Sequence, residues 1–174
     1  QRSFRITEGG TEVQRWVMSV RPWTAGMERK WVESLGSDPG EVCLMIVARD
    51  GDVPVGTVGL HRAGGPNRSA VLGIMIGEKD WWNRGLGTEA MHLMVRYGFD
   101  TLNLHRIELQ VYAANVRARR VYERVGFRAE GVRREARFWD GGWEDVIPMG
   151  LLEREWRVLT RKLVRSETAL CAAG

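Results

Sequence analysis

Residues 71–90 read VLGIMIGEKDWWNRGLGTEA and join an apolar run to a polar segment and a glycine-rich turn. The run at 69–76 has the length and residue types of a β-strand. From Leu86 the apolar residues recur at offsets of about four, seven, eight and eleven, which predicts a helix with one buried face. The residues expected on that face are Leu86, Ala90, Leu93, Met94 and Tyr97. Gly85 and Gly87 therefore open a helix that follows a strand.

A helix that begins at glycines exposes unpaired amide N–H groups and the positive end of its dipole. Because glycine has no side chain, an anion can approach these amides closely, and phosphate or pyrophosphate is the natural ligand. A turn without a ligand explains a lone Gly-x-Gly equally well. GLGTEA also matches the dinucleotide fingerprint G-x-G-x-x-A, but that fingerprint directly follows its strand, whereas GEKDWWNR separates Ile76 from Gly85.

The flanking sequence predicts the other elements. EVCLMIVAR, VPVGTVGLHR and RSAVLGIMIG are β-rich runs joined by short turns, which favours an antiparallel meander. RIELQVY predicts a strand, and NVRARRVYERVGF predicts a helix with Asn115 as N-cap and Gly126 as its end. FRAEGVRREARFW, DGG and WEDVIPMGLL predict a closing hairpin. Near the N-terminus, SFRI predicts a strand, and EVQRWVMSV and GMERKWVESL predict two short helices.

Composition limits the classes of protein to consider. The 174 residues, 44% of them hydrophobic, suffice for one domain, which we assign to residues 1–160 with a tail at 161–174. The 26 Lys and Arg and 22 Asp and Glu are interspersed, so nucleic acid is not an expected partner. No apolar run approaches the roughly 18 residues of a membrane span. Two cysteines give neither a disulfide framework nor a zinc site, so we expect a cytoplasmic protein without a metal.

Three segments, in this order, resemble the GNAT superfamily of acetyl-CoA-dependent N-acetyltransferases over about residues 10–155. WNRGLG is similar to the family's Q/R-x-x-G-x-G/A pyrophosphate loop, which follows a strand such as VLGIMI. LQVYAANVRARRVYERVGF is similar to the family's strand, asparagine and tyrosine-bearing helix that ends in Gly-Phe. FWDGGWEDVIPMGLLEREW and YGFDTLNLHRIEL are most similar to the subgroup that includes ribosomal-protein N-terminal acetyltransferases and spermidine acetyltransferases.

The resemblance implies an α/β fold, the GNAT acyl-CoA N-acyltransferase fold, with a central, largely antiparallel sheet flanked by helices. It also implies that strands at about 69–76 and 106–112 splay apart and admit the pantetheine arm of acetyl-CoA. Backbone groups on the first strand would bond pantetheine, and amides of the glycine loop would hold the pyrophosphate. The coenzyme-binding residues expected in this way are Ile74, Met75, Ile76, Asn83, Arg84, Gly85, Leu86, Gly87, Thr88, Asn115 and Arg120.

Arg120 belongs to a stripe of the tyrosine-bearing helix that also contains Arg117 and Arg124. This stripe could meet the 3′-phosphate of coenzyme A. A solvated face, paired in part with Glu123, is the alternative and the commoner arrangement.

Amide formation from a thioester needs a neutral amine, a donor to the oxyanion and a proton for the departing thiolate. Tyr122 is the acid that the resemblance implies, with a core tyrosine as the structural alternative. The base is harder to assign, because Val71 and Gln110 stand where relatives carry carboxylates. Glu108 shares a strand face with Gln110 and is our candidate base, with a solvated or ion-paired role equally open.

Other side chains have weaker roles in this scheme. His61 and His105 lie near strand ends, where histidines are more often structural. Residues that could line the acceptor site or cover the coenzyme loop are Glu135, Asp145, Trp81, Trp82, Trp139 and Trp143. Large aromatic residues at such positions also serve cores and interfaces.

The sequence therefore predicts an N-acetyltransferase that moves acetyl from acetyl-CoA to a primary amine by direct attack in a ternary complex. The acceptor is a protein N-terminus or a small amine; an acidic groove would favour a polyamine-specific enzyme, and an open cleft would admit a peptide. The alternative class is a coenzyme-A-binding GNAT module without catalysis, because no base is committed. We expect no membrane or nucleic-acid partner, and a monomer or a homodimer.

Overall fold

A computed structural model describes residues 38–161 without a break, and seven single positions before them. Those positions are Val13, Arg15, Trp16, Gly26, Arg29, Lys30 and Glu33. The four positions from Gly26 to Glu33 are helical, which agrees with the second helix predicted near the N-terminus. Of the first predicted helix, Val13 is helical, but Arg15 and Trp16 are turn residues. The predicted strand SFRI lies outside the described residues, as does the tail beyond residue 161.

Seven strands and two helices follow in the order that the sequence predicts. The elements are β1 (Val42–Ala48), β2 (Val53–Gly64), β3 (Ser69–Ile76), α1 (Leu86–Asp100), β4 (Arg106–Tyr112), α2 (Val116–Val125), β5 (Arg128–Ala129), β6 (Arg133–Trp139) and β7 (Gly142–Leu152). A 3-10 turn at Lys79–Trp81 precedes α1, and residues 153–161 are helical. In the described residues no helix has the length and apolar content needed to span a membrane.

The strands form one sheet in the order β1-β2-β3-β4-β7-β5, with β6 also paired to β7. Every pairing is antiparallel except that of β3 with β4. The predicted meander is confirmed as β1 to β3. The closing hairpin is confirmed as well, although its first arm is divided into β5 and β6. Asp140 and Gly141 both have positive φ, 49° and 78°, which is the type I′ geometry of two-residue hairpin turns.

The sheet has two unlike faces. Residues that pair directly across strands share a face, so Leu60, Leu72 and Leu151 lie on one side with other buried apolar side chains. This side, here called the helix face, packs against α1 and α2 to form the core. His61, Val71 and Glu108 lie on the other side, here called the second face.

The predicted buried face of α1 is partly wrong. Ala90 and Met94 are buried as expected, but Leu93 and Tyr97 are 51% and 38% exposed. The buried residues of α1 are instead Ala90, Met91, Met94, Val95, Gly98 and Phe99. Gly98 packs tightly against the sheet, because an added Cβ would lie 2.8 Å from Ile107 Cδ1. A glycine adds nothing to a pattern of large apolar residues. The pattern therefore did not indicate that the buried face of α1 includes Gly98.

Candidate active site

The parallel pairing of β3 with β4 ends abruptly. It comprises Ser69 with Arg106, Ala70 with Ile107 and Val71 with Glu108. Beyond these pairs β3 continues to Ile76 along β2, while β4 continues to Tyr112 along β7. The two strands therefore diverge and leave a gap walled by residues 72–76 and 109–112, which confirms the predicted splay.

The β3 wall of this gap carries peptide groups without a strand partner. Successive peptide groups of a strand point alternately to its two neighbours, and β2 pairs with only one edge of Ile74, Met75 and Ile76. Backbone groups on the other edge need a different partner. The carbonyl oxygen of Ile76 has one, because the indole Nε1 of Trp82 donates to it at 2.9 Å.

The glycine loop lies at the wide end of the gap. Asn83 and Gly85 have φ of 60° and 83°, and backbone turns of this kind form anion-binding concavities. Gly85 caps α1 without a side-chain hydrogen bond, so the first amides of the helix face outward. A Cβ on Gly87 would meet only Ile74 Cδ1, at 4.0 Å. The helix N-terminus is thus placed directly beside the β3 wall.

The dinucleotide alternative does not fit this geometry. In that fold a glycine turn follows its strand at once, between parallel strands. Here the 3-10 turn Lys79–Trp81 separates β3 from Gly85, and β1 to β3 are antiparallel.

Two tryptophans next to the glycine loop stack with arginine side chains. The Arg84 guanidinium lies 4.7 Å from the centre of the Trp81 ring. The Arg117 guanidinium lies 3.7 Å from the centre of the Trp82 ring. Since Trp82 also bonds Ile76, its side chain joins the end of β3 to the first turn of α2.

The arginine stripe of α2 divides between different surroundings. Arg117 stacks on Trp82, Arg120 is exposed, and Arg124 lines a pocket of about 650 Å³ next to the N-terminus of α1. The residues around that pocket are Gly85, Thr88, Glu89, His92, Leu93, Arg96, Arg124, Trp156 and Thr160. The side chains of Arg96 and Arg124 therefore line a pocket that also borders the glycine loop.

Asn115 stands between β4 and α2 and is buried, with 9% of its surface exposed. Its Oδ1 accepts a hydrogen bond from the backbone N–H of Ala118 at 3.1 Å, so the predicted N-cap is confirmed. Gly126, with φ of 114°, ends the helix as predicted. The cap fixes the start of α2 at the open end of the gap.

Tyr122 lies on the stripe of α2 that packs against the core. Its ring contacts Phe127 edge-on, with 6.4 Å between centroids. Burial raises the pKa of the Tyr122 hydroxyl to about 12, so it is a protonated donor throughout the neutral range. The residue therefore stands on the helix face of the sheet, on the side opposite His61 and Glu108.

Glu108 lies on the second face, at the apex of the gap, and is ion-paired. Its Oε2 accepts from Arg106 Nε at 3.2 Å, and Arg106 also makes a two-pronged contact with Glu130 at 2.7 and 2.5 Å. Gln110 Oε1 accepts from Arg133 Nη1 at 3.3 Å. The carboxylate of Glu108 thus points back along β4 toward Arg106 rather than into the gap.

The hairpin residues have structural partners. Arg137 is 6% exposed, and its guanidinium carbon lies 3.7 Å from the centre of the Tyr112 ring and 4.4 Å from that of Trp139. Its Nη1 donates to Glu144. Asp145 Oδ1 accepts from the backbone N–H of Glu135 at 2.8 Å. Trp143, at 62% exposure, contacts Phe138 on the outside of the hairpin. Trp139 is therefore part of a packed cluster, and Trp143 is a surface residue.

One close contact has no signal in the sequence. His61 Nδ1 lies 2.5 Å from Glu41 Oε2, across 20 residues of chain. Glu41 Oε1 accepts from the backbone N–H of Arg62 at 3.0 Å. Pairing of β1 with β2 brings these groups together, and only the register of the two strands could have revealed it. His105, the other histidine considered, lies exposed before β4.

Comparison with known proteins agrees with this geometry. The model of the acetyltransferase (GNAT) domain matches residues 4–128. The putative ribosomal N-acetyltransferase YdaF of Bacillus subtilis (strain 168) is 34% identical over 101 residues, which cover 58% of this chain and 55% of that protein. The L-amino acid N-acetyltransferase AaaT of Escherichia coli (strain K12) is 32% identical over 124 residues, covering 70% of this chain and 75% of that protein. The chain spans little more than half the length of the first of these relatives.

A solved structure gives the same fold. Spermidine N-acetyltransferase from Vibrio cholerae, in complex with CoA and spermine, has a TM-score of 0.78 over 85% of this chain and 86% of its own, at 24% identity. At that identity the likeness concerns the fold alone. The domain model, however, covers well over half of the chain. The chain belongs to the GNAT acetyltransferase family.

Proposed function

We propose that the chain is an N-acetyltransferase that transfers acetyl from acetyl-CoA to a primary amine by direct attack in a ternary complex. The observation that carries this proposal is the gap between β3 and β4 with the glycine loop at its wide end. Acetyl-CoA needs a narrow groove for its pantetheine arm and an anion-binding site at the far end of that groove for its diphosphate. The groove and the helix N-terminus are adjacent, since a Cβ on Gly87 would lie 4.0 Å from Ile74 Cδ1.

The coenzyme would lie along the elements already described. Its pantetheine arm would lie along the edge of Ile74, Met75 and Ile76 that faces away from β2, beside Asn115. Its pyrophosphate would bond the amides from Asn83 to Thr88, with the Arg84 side chain nearby. We place its 3′-phosphate toward Arg96 and Arg124 of the adjoining pocket, with Arg120 at the edge.

Tyr122 would serve the departing sulfur. A phenol with a pKa of about 12 gives its proton to a thiolate of pKa about 8.5 at a cost of roughly 5 kcal/mol. A thiolate that forms beside buried Tyr122 is also shielded from water, which raises the pKa of the thiol. The difference between the pKa values of the phenol and the thiol is then smaller. The hydroxyl would therefore act first as a hydrogen-bond donor to sulfur and complete the proton transfer as the C–S bond breaks.

Charge on the second face favours an acceptor with a single amine. Glu108 and Glu144 are carboxylates of this face that are paired with Arg106 and Arg137, and the carboxylate of Glu41 is occupied by its contact with His61 and by the backbone N–H of Arg62. A polyamine carries several positive charges and needs carboxylates that are not already neutralised. We therefore favour a peptide N-terminus or an amino acid over a polyamine, which stays the second candidate for the acceptor.

Two further proposals concern the setting. The ion pair with Arg106 favours a structural role for Glu108 over a role as the base. If the chain had no other base, it would bind coenzyme A without catalysing transfer. We keep a cytoplasmic location, a monomer or homodimer, and independence from metal and nucleic acid as proposals. Within residues 38–161 and the seven earlier described positions, no three His, Cys, Asp or Glu side chains are grouped as metal ligands.

Thiol release from acetyl-CoA tests the function. Release would be measured with a peptide bearing an N-terminal alanine, with free L-amino acids and with spermidine, beside calorimetric binding of coenzyme A. We expect release with the peptide or the amino acids. Release with spermidine alone would establish the polyamine enzyme, and tight coenzyme binding without release would establish the module.

A further inference from the structure

We propose that His61, oriented by Glu41, is the general base that takes the proton from the acceptor amine. The proposal rests on the acetyl transfer proposed above and supplies the group that the sequence left unassigned. It is carried by the position of the imidazole relative to the gap, by its contact with a carboxylate, and by the state of its second nitrogen.

The imidazole lies over two facing glycines at the start of the gap. His61 and Val71 pair directly, as do Gly59 and Gly73, and all four lie on the second face. A Cβ on Gly73 would lie 3.2 Å from His61 Nε2, and one on Gly59 would lie 3.6 Å from His61 Cε1. Gly73 is two residues beyond Val71, where pairing with β4 ends. The Nε2 atom is therefore at the gap wall, near the apex where the thioester would lie.

Glu41 fixes which imidazole nitrogen carries the proton. A carboxylate only accepts hydrogen bonds, so the 2.5 Å contact requires a proton on Nδ1. In the neutral ring Nε2 then holds the lone pair. Glu41 is itself held by the backbone N–H of Arg62. Among the described residues Nε2 has no hydrogen-bond partner, which leaves its lone pair available to a substrate proton.

Other groups near the imidazole do not take this role. Glu108 is the next residue in the row beyond Val71, and its carboxylate is bonded to Arg106. Cys43 pairs with Gly59 on the same face, but burial, and next the charge of Glu41, raise the pKa of its thiol. A protonated thiol neither attacks the thioester nor competes for the amine proton.

The resulting step is balanced. As the neutral amine attacks the thioester carbon, the C–N bond forms and an amine proton passes to Nε2, giving an imidazolium that the Glu41 carboxylate stabilises. The C–S bond breaks, and the thiolate takes a proton from Tyr122 on the opposite face. Solvent returns the proton from His61 to Tyr122. Base and acid thus approach the reacting carbon from the two sides of the sheet.

The test compares His61→Asn with wild type and with His105→Asn. Asparagine keeps an N–H donor toward Glu41 but has no base at the Nε2 position. We expect His61→Asn to lower kcat by about 10²-fold or more, as loss of a general base does, with the coenzyme A Kd changed by less than about twofold. Imidazole added to His61→Ala should restore part of the rate. His105→Asn should match wild type, and Glu41→Gln should lower kcat without changing KM for acetyl-CoA.

Nitrogen NMR of His61 in the wild-type protein identifies the tautomer of the imidazole and needs no acceptor amine. We expect the Nδ1–H tautomer. An Nε2–H form overturns the proposal, as does a His61→Asn protein that turns over like wild type or loses coenzyme affinity. Wild-type protein that releases no thiol with any acceptor overturns the proposed function and this inference together. Undiminished transfer by His61→Asn overturns the inference alone.

Discussion

Val71 of β3 and Glu108 of β4 form the last pair before the two strands separate. The same row contains His61 on one side and Gly150 on the other, so four strands are in register at the apex of the gap. One residue pair thus marks both the end of the parallel ladder and the start of the candidate active site. Side chains of this row and the next form the part of the second face that lies beside the gap.

The glycine loop provides the first prediction. Gly87→Trp should raise the coenzyme A Kd by more than about 100-fold, because the indole would fill the space between α1 and Ile74 where the diphosphate approaches. Gly87→Ala is the matched control. Its methyl group meets only Ile74 Cδ1 at 4.0 Å, so Kd should rise by at most about tenfold. Calorimetry measures both, and unchanged affinity in Gly87→Trp would show that the diphosphate binds elsewhere.

Tyr122 provides the second prediction. Tyr122→Phe should lower kcat by about 10²-fold and leave KM for acetyl-CoA unchanged, because the hydroxyl acts only as the C–S bond breaks. Since burial raises its pKa to about 12, wild-type activity should show no alkaline loss from this group until the pH approaches that value. Tyr97→Phe, on the exposed side of α1, is the control. Equal kcat in Tyr122→Phe and wild type would leave the residue a core tyrosine.

The elements of this fold were predictable because their signals are local. Turn residues set the meander and the final hairpin, and Asn115 and Gly126 mark the two ends of α2 within 12 residues. The buried face of α1 was only partly predictable, because Gly98 lies on that face and packs against Ile107, yet has no side chain that could mark the face in the sequence.

Part of the candidate site could not be predicted, because it depends on contacts between residues on different strands. Glu41 directly precedes β1 and His61 lies within β2, 20 residues along the chain, and the β1–β2 register brings Glu41 Oε2 and His61 Nδ1 to 2.5 Å. Arg106 likewise has two carboxylates, one two residues away and one 24 residues away. Pair distances of this kind depend on strand register, which periodicity does not specify.

Asn115 provides a prediction that separates stability from binding. Asn115→Ala should lower the free energy of unfolding by about 1 kcal/mol, because the N–H of Ala118 loses its acceptor. Asn115→Asp keeps the cap and removes only the amide N–H₂, so its stability should stay near wild type. Urea unfolding and coenzyme A calorimetry on both variants give the answer. If the Asn115→Asp variant bound coenzyme A as tightly as wild type, the amide would have no part in the site.

The Arg106–Glu130 pair provides a prediction about pH. Hydrogen bonding from Arg106 holds the pKa of Glu130 below its usual value. A carboxyl whose folded pKa is depressed stabilises the protein above its unfolded pKa, about 4.3, and that contribution disappears as the pH falls through the folded value. Glu130→Gln should therefore be less stable than wild type at pH 7, by roughly 0.5 to 1 kcal/mol because both side chains are partly exposed.

Below the depressed pKa of Glu130 the two proteins should become equally stable, since the wild-type carboxyl is then neutral as well. Urea unfolding at several pH values measures this convergence. Glu123→Gln is the control, because its 3.4 Å pair with Arg119 on α2 is the ordinary i,i+4 kind, worth about 0.2 to 0.5 kcal/mol. A constant difference between wild type and Glu130→Gln at every pH would mean that the loss comes from packing rather than charge. The two-pronged contact also occupies the space over Gly150, so the ion pair, rather than a side chain of β7, covers the sheet beside the apex.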